Sequence, residues 1–506
     1  MFHTAELKQT LPKSEYKKRV PVLRQELLMV QNALRSADFP VIVVFAGVDG
    51  AGKSETVNLL HEWMDSRGLF SCHFGPASDE ERDRPVYWRF WRELPRRGRI
   101  GFYQSSWYSN PILDQVHGRA DEANFDRQLE RIRRFERELA EDGALILKFW
   151  MHLSKDAQKK RLKFLEKHPL LHWRISKSDW ENWRNYDAFI MAAERTMLKT
   201  STGFAPWKIV EGYDERFRSI EVATILKDAI QHQLRERKLL QAMDIEAAVV
   251  EESSVEEVAK PPVTVLSCLD MKQRLAKSAY NAQLRKQQGR LNQLQQRARE
   301  RGVSTIVVLE GWDAAGKGGA IRRVTHAVDS RDYQVIQVAA PTDEERAHHY
   351  LWRFWRHLPR AGRITIYDRS WYGRVFVERI EGYATENEWQ RAYTEINDFE
   401  EQLTEFGIAV VKFWVHITKD EQLERFKARE RTPYKAWKLT DDDWRNRERW
   451  GDYELAVSDA VERTSTRAAP WILVEGDDKR YARVKIVKTV CDRLEEVLGP
   501  DDEKSK

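Results

Sequence analysis

A glycine-rich loop occurs twice in this 506-residue chain, and everything around it is duplicated at the same spacing. The first copy reads GVDGAGKS from Gly47 to Ser54. The second reads GWDAAGKG from Gly311 to Gly318, so the offset from Gly47 to Gly311 is 264 residues. Trp88-Arg89-Phe90-Trp91-Arg92 returns as Trp352-Arg353-Phe354-Trp355-Arg356. Lys148-Phe149-Trp150 returns as Lys412-Phe413-Trp414, and Ala205-Pro206-Trp207 as Ala469-Pro470-Trp471. Loops and core therefore keep the same length in both copies. A solenoid needs a shorter period repeated at least three times, so the pattern predicts tandem duplication of a whole domain of roughly 230 residues, a size that buries a full core.

Each copy alternates short apolar runs with charged helical stretches. Pro40 to Ala46 and Ser304 to Glu310 are rich in β-branched residues, as buried parallel strands are. Each runs into the glycine loop and then a helical stretch, Lys53 to Arg67 and Lys317 to Val328. Arg363 to Tyr367 and Ala409 to His416 read as further strands, and Thr385 to Glu405 as a long helix. This alternation predicts an α/β fold with a doubly wound sheet in each copy. The expected domains are residues 1–242 and 266–506. Residues 243–265 join them, where Asp244 to Pro262 reads as an acidic, partly disordered linker, with a helix as the alternative because Ala and Glu are good helix formers. Leu275 to Arg301 is expected to lead into the second domain as a helix, and the tail Pro500 to Lys506 to fray.

Composition narrows the partners. The 85 basic and 80 acidic side chains give a net charge of only +5, which does not suggest a general nucleic-acid binder. Anion binding must then come from local clustering. Cys72, Cys268 and Cys491 are odd in number and far apart, without a disulfide framework or metal spacing. The amino terminus lacks the pattern of a secretory leader, and no apolar run approaches the ~18 residues of a membrane span. The expected location is the cytoplasm, with no membrane partner.

The loop has a physical purpose. Its glycines let backbone N–H groups point at phosphate oxygens, and its lysine, Lys53 or Lys317, adds a mobile positive charge. In ordinary P-loops a Ser or Thr follows the lysine and touches magnesium. Ser54 fits that rule and Gly318 does not, so the second loop must hold a metal elsewhere. Asp313 in the loop and Asp368 at the end of a predicted strand are the obvious carboxylates. Arg369 follows Asp368 directly, whereas the first copy has Gln104 and Ser105 at those positions. Cations gather nearby: Arg353, Arg356 and Arg363, and a run from Arg425 through Arg429, Lys435 and Lys438 to Arg449. A solvated helix face is the bland reading of that run. The functional reading is a lid closing on a polyanion. Arg429, Lys435, Arg445, Arg447 and Arg449 match Leu165, Leu171, Glu181, Trp183 and Asn185 in the first copy.

The segments Gly311–Gly319, Trp352–Arg356, Tyr367–Val375, Trp437–Trp444 and Ala469–Trp471 together resemble polyphosphate kinase family 2, over most of the second copy and more weakly over the first. The two-copy layout resembles the subgroup that uses AMP. The resemblance implies tandem P-loop kinase-like domains of the thymidylate-kinase type, each a parallel sheet flanked by helices with a helical lid. It implies reversible transfer of the terminal phosphate of inorganic polyphosphate to AMP, giving ADP, with Mg2+ as cofactor. By position it implies catalytic roles for Asp313, Lys317, Asp368 and Arg369, with metal at Asp313 and Asp368. Phosphate or nucleotide would meet Gly311, Gly316, Gly318, Arg353, Arg425, Arg429 and Lys438. The first copy keeps Asp49, Lys53 and Arg161 and is expected to be catalytically degenerate. The expected partners are polyphosphate and AMP or ADP, with no nucleic acid; a homo-oligomer is left open. Competing readings are an ATP-dependent nucleotide kinase and a non-catalytic polyphosphate- or nucleic-acid-binding protein.

Overall fold

In the computed structural model, residues 1–170, 172–248, 264–433 and 439–500 are described. Of the expectations above, Leu171, Lys435, Lys438, most of the linker and the end of the tail lie outside these residues. The chain forms two compact units. The first comprises Met1–Ala77, Arg89–Val255 and Asp343–His349, and the second Ser78–Trp88, Glu256–Thr342 and Tyr350–Lys506.

Each unit is built on a five-stranded sheet. In the first, β1 (Val41–Gly47), β2 (Leu69–His73), β3 (Ile100–Gln104), β4 (Leu145–His152) and β5 (Trp207–Glu211) lie in the order β2-β3-β1-β4-β5. In the second, β6 (Thr305–Gly311), β7 (Tyr333–Gln337), β8 (Ile364–Asp368), β9 (Ala409–His416) and β10 (Trp471–Glu475) lie in the order β7-β8-β6-β9-β10. The two orders are the same, and all the pairings are parallel. Burial on both faces explains why β1 and β6 read as continuous apolar runs rather than alternating ones.

Register carries function here. β6 pairs with β8 so that Leu309 lies opposite Asp368, and β1 pairs with β3 so that Phe45 lies opposite Gln104. The carboxyl ends of two neighbouring strands therefore deliver the loop and residues 368–369 to one place, the crevice where open α/β sheets bind ligands.

Helix boundaries depart from expectation in small ways. The helix after the first loop ends at Trp63, and that after the second at Thr325. The helix Glu386–Glu405 starts at a capping box in which Thr385 and Glu388 satisfy each other's backbone N–H groups. The helical alternative holds at the start of the stretch read as linker. The helix Glu215–Ala248 continues into it, consistent with its Ala and Glu content.

One buried network is identical in both units. The Lys412 ammonium donates to Glu400 at 2.6 Å, to the Tyr372 hydroxyl at 2.8 Å and to the Thr464 carbonyl at 2.9 Å. Lys148 does the same with Glu136, Tyr108 and Thr200. Burial lowers the lysine's proton affinity in each, and the carboxylate partner opposes it. Removing one partner of such a pair would strand a buried charge, which accounts for its survival in both copies. Among the described residues no helix is long and apolar enough to cross a membrane.

Candidate active site

The loop of the second unit follows β6 directly. Gly311 has φ +143°, and a Cβ there would lie 2.4 Å from the Val415 carbonyl oxygen of β9, so only glycine fits. Gly47 meets the same restriction at Met151. Gly316 then takes a left-handed conformation as the amino-terminal cap of the helix Lys317–Thr325. The loop lysine folds back in each unit: Lys317 donates to the carbonyls of Gly311 and Trp312, and Lys53 to those of Gly47 and Val48.

A cavity of about 910 Å3 opens over the second loop. Its described lining carries seven basic side chains, Lys317, Arg322, Arg369, Arg425, Arg429, Lys479 and Arg483, against three acidic ones, Asp313, Asp368 and Asp443. Asp313, Lys317, Asp368, Arg369, Gly316, Gly318, Arg425 and Arg429 are thus brought together as the sequence suggested. Arg353 stands behind this wall, donating to the Ala339 carbonyl at 3.1 Å. Arg89 makes the matching contact with Gly75 in the first unit, so this bond belongs to the fold that both units share.

The resting electrostatics are internally paired. Arg369 donates to Asp313 Oδ1 at 2.9 Å, and Asn446 donates to Asp313 Oδ2 at 2.9 Å. Burial pushes the Asp313 carboxyl up, but the charges of Lys317 and Arg369 outweigh it and hold the group below its ordinary range. The Asp368 carboxylate faces the cavity with no hydrogen-bond or ion-pair partner among the described residues. Arg369 has φ +65°, a left-handed turn that costs a non-glycine residue energy, and Ser105 in the first unit keeps it at +55°.

Within the run expected to form a lid, Arg425 is anchored at the loop. It is buried, and its guanidinium donates to the carbonyls of Ala314, Ala315, Gly476 and Asp477 and to Glu421, bolting the loop to the end of β10. Nor do the later arginines of the run face the cavity. Arg445 and Arg449 pair with Glu381, and Arg447 donates to Lys419 and Gln422. In the described part of the run, Arg429 is the cation outside the loop clamp that lines the cavity.

Several site residues escaped sequence reasoning. Asn446 holds Asp313 across 133 positions, and Asn182 holds Asp49 in the same way. The duplication was the signal that could have revealed this pair. No local pattern marks Arg322, Lys479 or Arg483, and the fold brings them to one cavity. Glu310 reads as the last residue of a strand. It is 5 % exposed and accepts a hydrogen bond from Ser370 at 2.8 Å.

The first unit keeps Asp49, Lys53, Arg161 and Asp179 but has Gln104, Ser105 and Leu165 at the positions of Asp368, Arg369 and Arg429. Gln104 accepts a hydrogen bond from Ser54 at 2.7 Å where the second unit has Asp368 and Gly318. Glu55 stands where the second unit has Gly319, and its carboxylate pairs with Arg161 at 2.8 Å and Arg218 at 3.0 Å.

The sequence matches the family described as Polyphosphate kinase 2 (PPK2) over residues 10–238 and 274–501. It is 50% identical to a polyphosphate:AMP phosphotransferase of Pseudomonas aeruginosa over 502 residues, 99% of this chain and 100% of the relative. It is 46% identical to a polyphosphate:AMP phosphotransferase of Pseudomonas syringae pv. tomato over 510 residues, covering 100% of both. A crystal structure from Pseudomonas aeruginosa PA01 assigned to polyphosphate kinase 2 superposes with a TM-score of 0.86 at 47% identity, across 98% of this chain and 99% of the other. Both halves carry the match, and with the loop geometry and strand order above, the chain belongs to the polyphosphate kinase 2 family.

Proposed function

We propose that the chain transfers the terminal phosphate of inorganic polyphosphate to AMP, and that the second unit performs the chemistry. The observation that carries this reading is the excess of cations converging on the second loop, seven against three in the described lining. Donor and acceptor are both phosphate anions, so the main obstacle is their mutual repulsion. Phosphoryl transfer asks the protein for positioning and charge neutralisation rather than covalent help. The activity named for both relatives fits the same chemistry.

In this reading an oxygen of the AMP phosphate attacks the terminal phosphorus of the chain. The bond from that phosphorus to its bridging oxygen breaks, and polyphosphate leaves one unit shorter. The attacking oxygen is already ionised at neutral pH, so no general base is required. Loop N–H groups and Lys317 would hold the transferring group, with Lys317 released from the Gly311 and Trp312 carbonyls by the incoming charge. Arg369 would leave Asp313 for phosphate, which frees a carboxylate oxygen.

The donor set suits magnesium. Among the described residues there is no group of three or more His, Cys, Asp or Glu side chains able to hold a metal. Magnesium needs no such cage. It takes one or two carboxylates and completes its shell with water and phosphate oxygens. Asp313 and Asp368 would hold it, and when bound it neutralises charge on the phosphate oxygens.

The test is a donor and acceptor panel on the purified full chain, with products resolved. Polyphosphate with AMP should give ADP and require magnesium. Turnover with ATP but not polyphosphate would replace this reading with an ATP-dependent kinase.

A further inference from the structure

Glu310 is the second-last residue of β6 and lies beneath the turn that carries Asp368 and Arg369. With Asp313, Arg369, Asn446 and Tyr453 it lines a cavity of about 70 Å3 behind the loop. Its Oε1 accepts from Ser370, which also caps the short helix Trp371–Arg374. Burial pushes its carboxyl above the ordinary range, while the hydrogen bond from Ser370 and the charges of Lys317 and Arg369 pull it back toward the ionised form.

The first unit separates two roles for this carboxylate. There position 46 is alanine, yet Ser106 is retained and Ser105 keeps the left-handed turn at φ +55°. The turn therefore forms without a carboxylate beneath it. What the first unit lacks along with Glu310 is the charged set, since Ala46, Gln104 and Ser105 replace Glu310, Asp368 and Arg369. What it retains, Asp49, Lys53, Asn182 and the buried lysine network, forms without that set. Glu310 sorts with the chemistry.

We propose that Glu310 is a positioning residue for phosphoryl transfer: its negative charge, buried under the loop, aims Arg369 and Lys317 at the transferring phosphate. A low-dielectric site strengthens such an interaction, and the preorganised arrangement avoids rearranging charge during the reaction. This inference rests on the proposed transfer from polyphosphate to AMP.

The experiment compares three full-length variants with the unaltered chain, measuring kcat and both Michaelis constants with polyphosphate and AMP. Glu310→Gln keeps an acceptor for Ser370 and removes the charge. Glu310→Ala installs the first unit's residue, and Glu310→Asp keeps the charge on a shorter stem. Glu310→Gln should lose roughly thirtyfold to a hundredfold in kcat, with the Michaelis constant for AMP within about twofold, and Glu310→Asp should recover part of the loss. Full activity in Glu310→Gln would overturn the proposal, even if Glu310→Ala is impaired, because the role would then be packing or hydrogen bonding. Should Glu310→Ala fail to fold, the Gln and Asp variants still decide. Absence of polyphosphate-to-AMP turnover in the unaltered chain would instead sink the underlying reading, a separate result.

Discussion

Around the first loop, Ser54 bonds Gln104 and Glu55 pairs with two arginines. Around the second, the same positions hold Gly318, Asp368 and Gly319. A Cβ on Gly318 would meet nothing within 4 Å, and the nearest atom to one on Gly319 would be Arg483 Nη2 at 3.0 Å. Strand register and the left-handed turn match in the two sites, but the charge around them differs. The first unit pairs Arg161 and Arg218 with Glu55, whereas in the second Arg369 pairs with Asp313 and seven basic side chains among the described residues line a cavity. In the proposed reading, the residues one and two past the lysine and at the end of the neighbouring strand separate the unit that performs the chemistry from the one that does not.

That contrast is broken most directly by transplanting the carboxylate. Gly319→Glu places the first unit's side chain beside Arg483 and in front of the loop. At an effective dielectric of about 20, a like charge 4–5 Å from a phosphate oxygen costs about 3–4 kcal/mol. Polyphosphate turnover should fall by roughly a hundredfold or more. Activity within a few-fold of the original would show that the charge at this position is not what separates the units.

The loop clamp sharpens the comparison. Arg425 bridges the carbonyls of Ala315 and Gly476 in the second unit. In the first, Arg218 bridges Ala51 and Gly212, from a different helix. Arg161, the positional counterpart of Arg425, pairs instead with Glu55. Both units need a guanidinium there, because unpaired buried carbonyls cost about 1–3 kcal/mol each. Arg425→Ala should therefore deprotect amides 311–318 to hydrogen exchange, and Arg218→Ala amides 47–54. Arg161→Ala, at a part-exposed ion pair, should do much less. Equal deprotection by Arg161→Ala would remove the distinction between the two clamps.

A smaller effect is expected from Arg429, whose counterpart is Leu165. Arg429→Ala should raise the Michaelis constant for polyphosphate about fivefold to tenfold, the value of a charge-assisted contact, and leave that for AMP nearly unchanged. Added salt should narrow the gap by screening. A defect confined to AMP would place this side chain on the acceptor side.

Much of this architecture was legible in the sequence. Apolar β-branched runs ending in glycine turns gave β1 and β6 to within a residue, and the constant offset gave two like domains. Cations were harder to place. A helix such as Lys419–Glu430 turns Arg425 inward to carbonyls and Arg429 outward to the cavity, and charge alone does not report which face is covered. Glu310 was hidden because a strand's last residues are read for burial rather than chemistry. Asn446, Arg322 and Arg483 depend on long-range packing that no local pattern encodes.

The central claim is that one unit keeps the chemistry and the other keeps the shape. It is tested by measuring polyphosphate-dependent ADP formation in Asp368→Asn and Lys53→Ala side by side, each in the full chain and each checked for folding. Loss of a carboxylate in the active cleft removes several kcal/mol of transition-state stabilisation, so Asp368→Asn should lower turnover by several orders of magnitude, while Lys53→Ala stays within a few-fold of the unaltered chain. Comparable losses in the two variants would contradict the account and assign catalysis to both units.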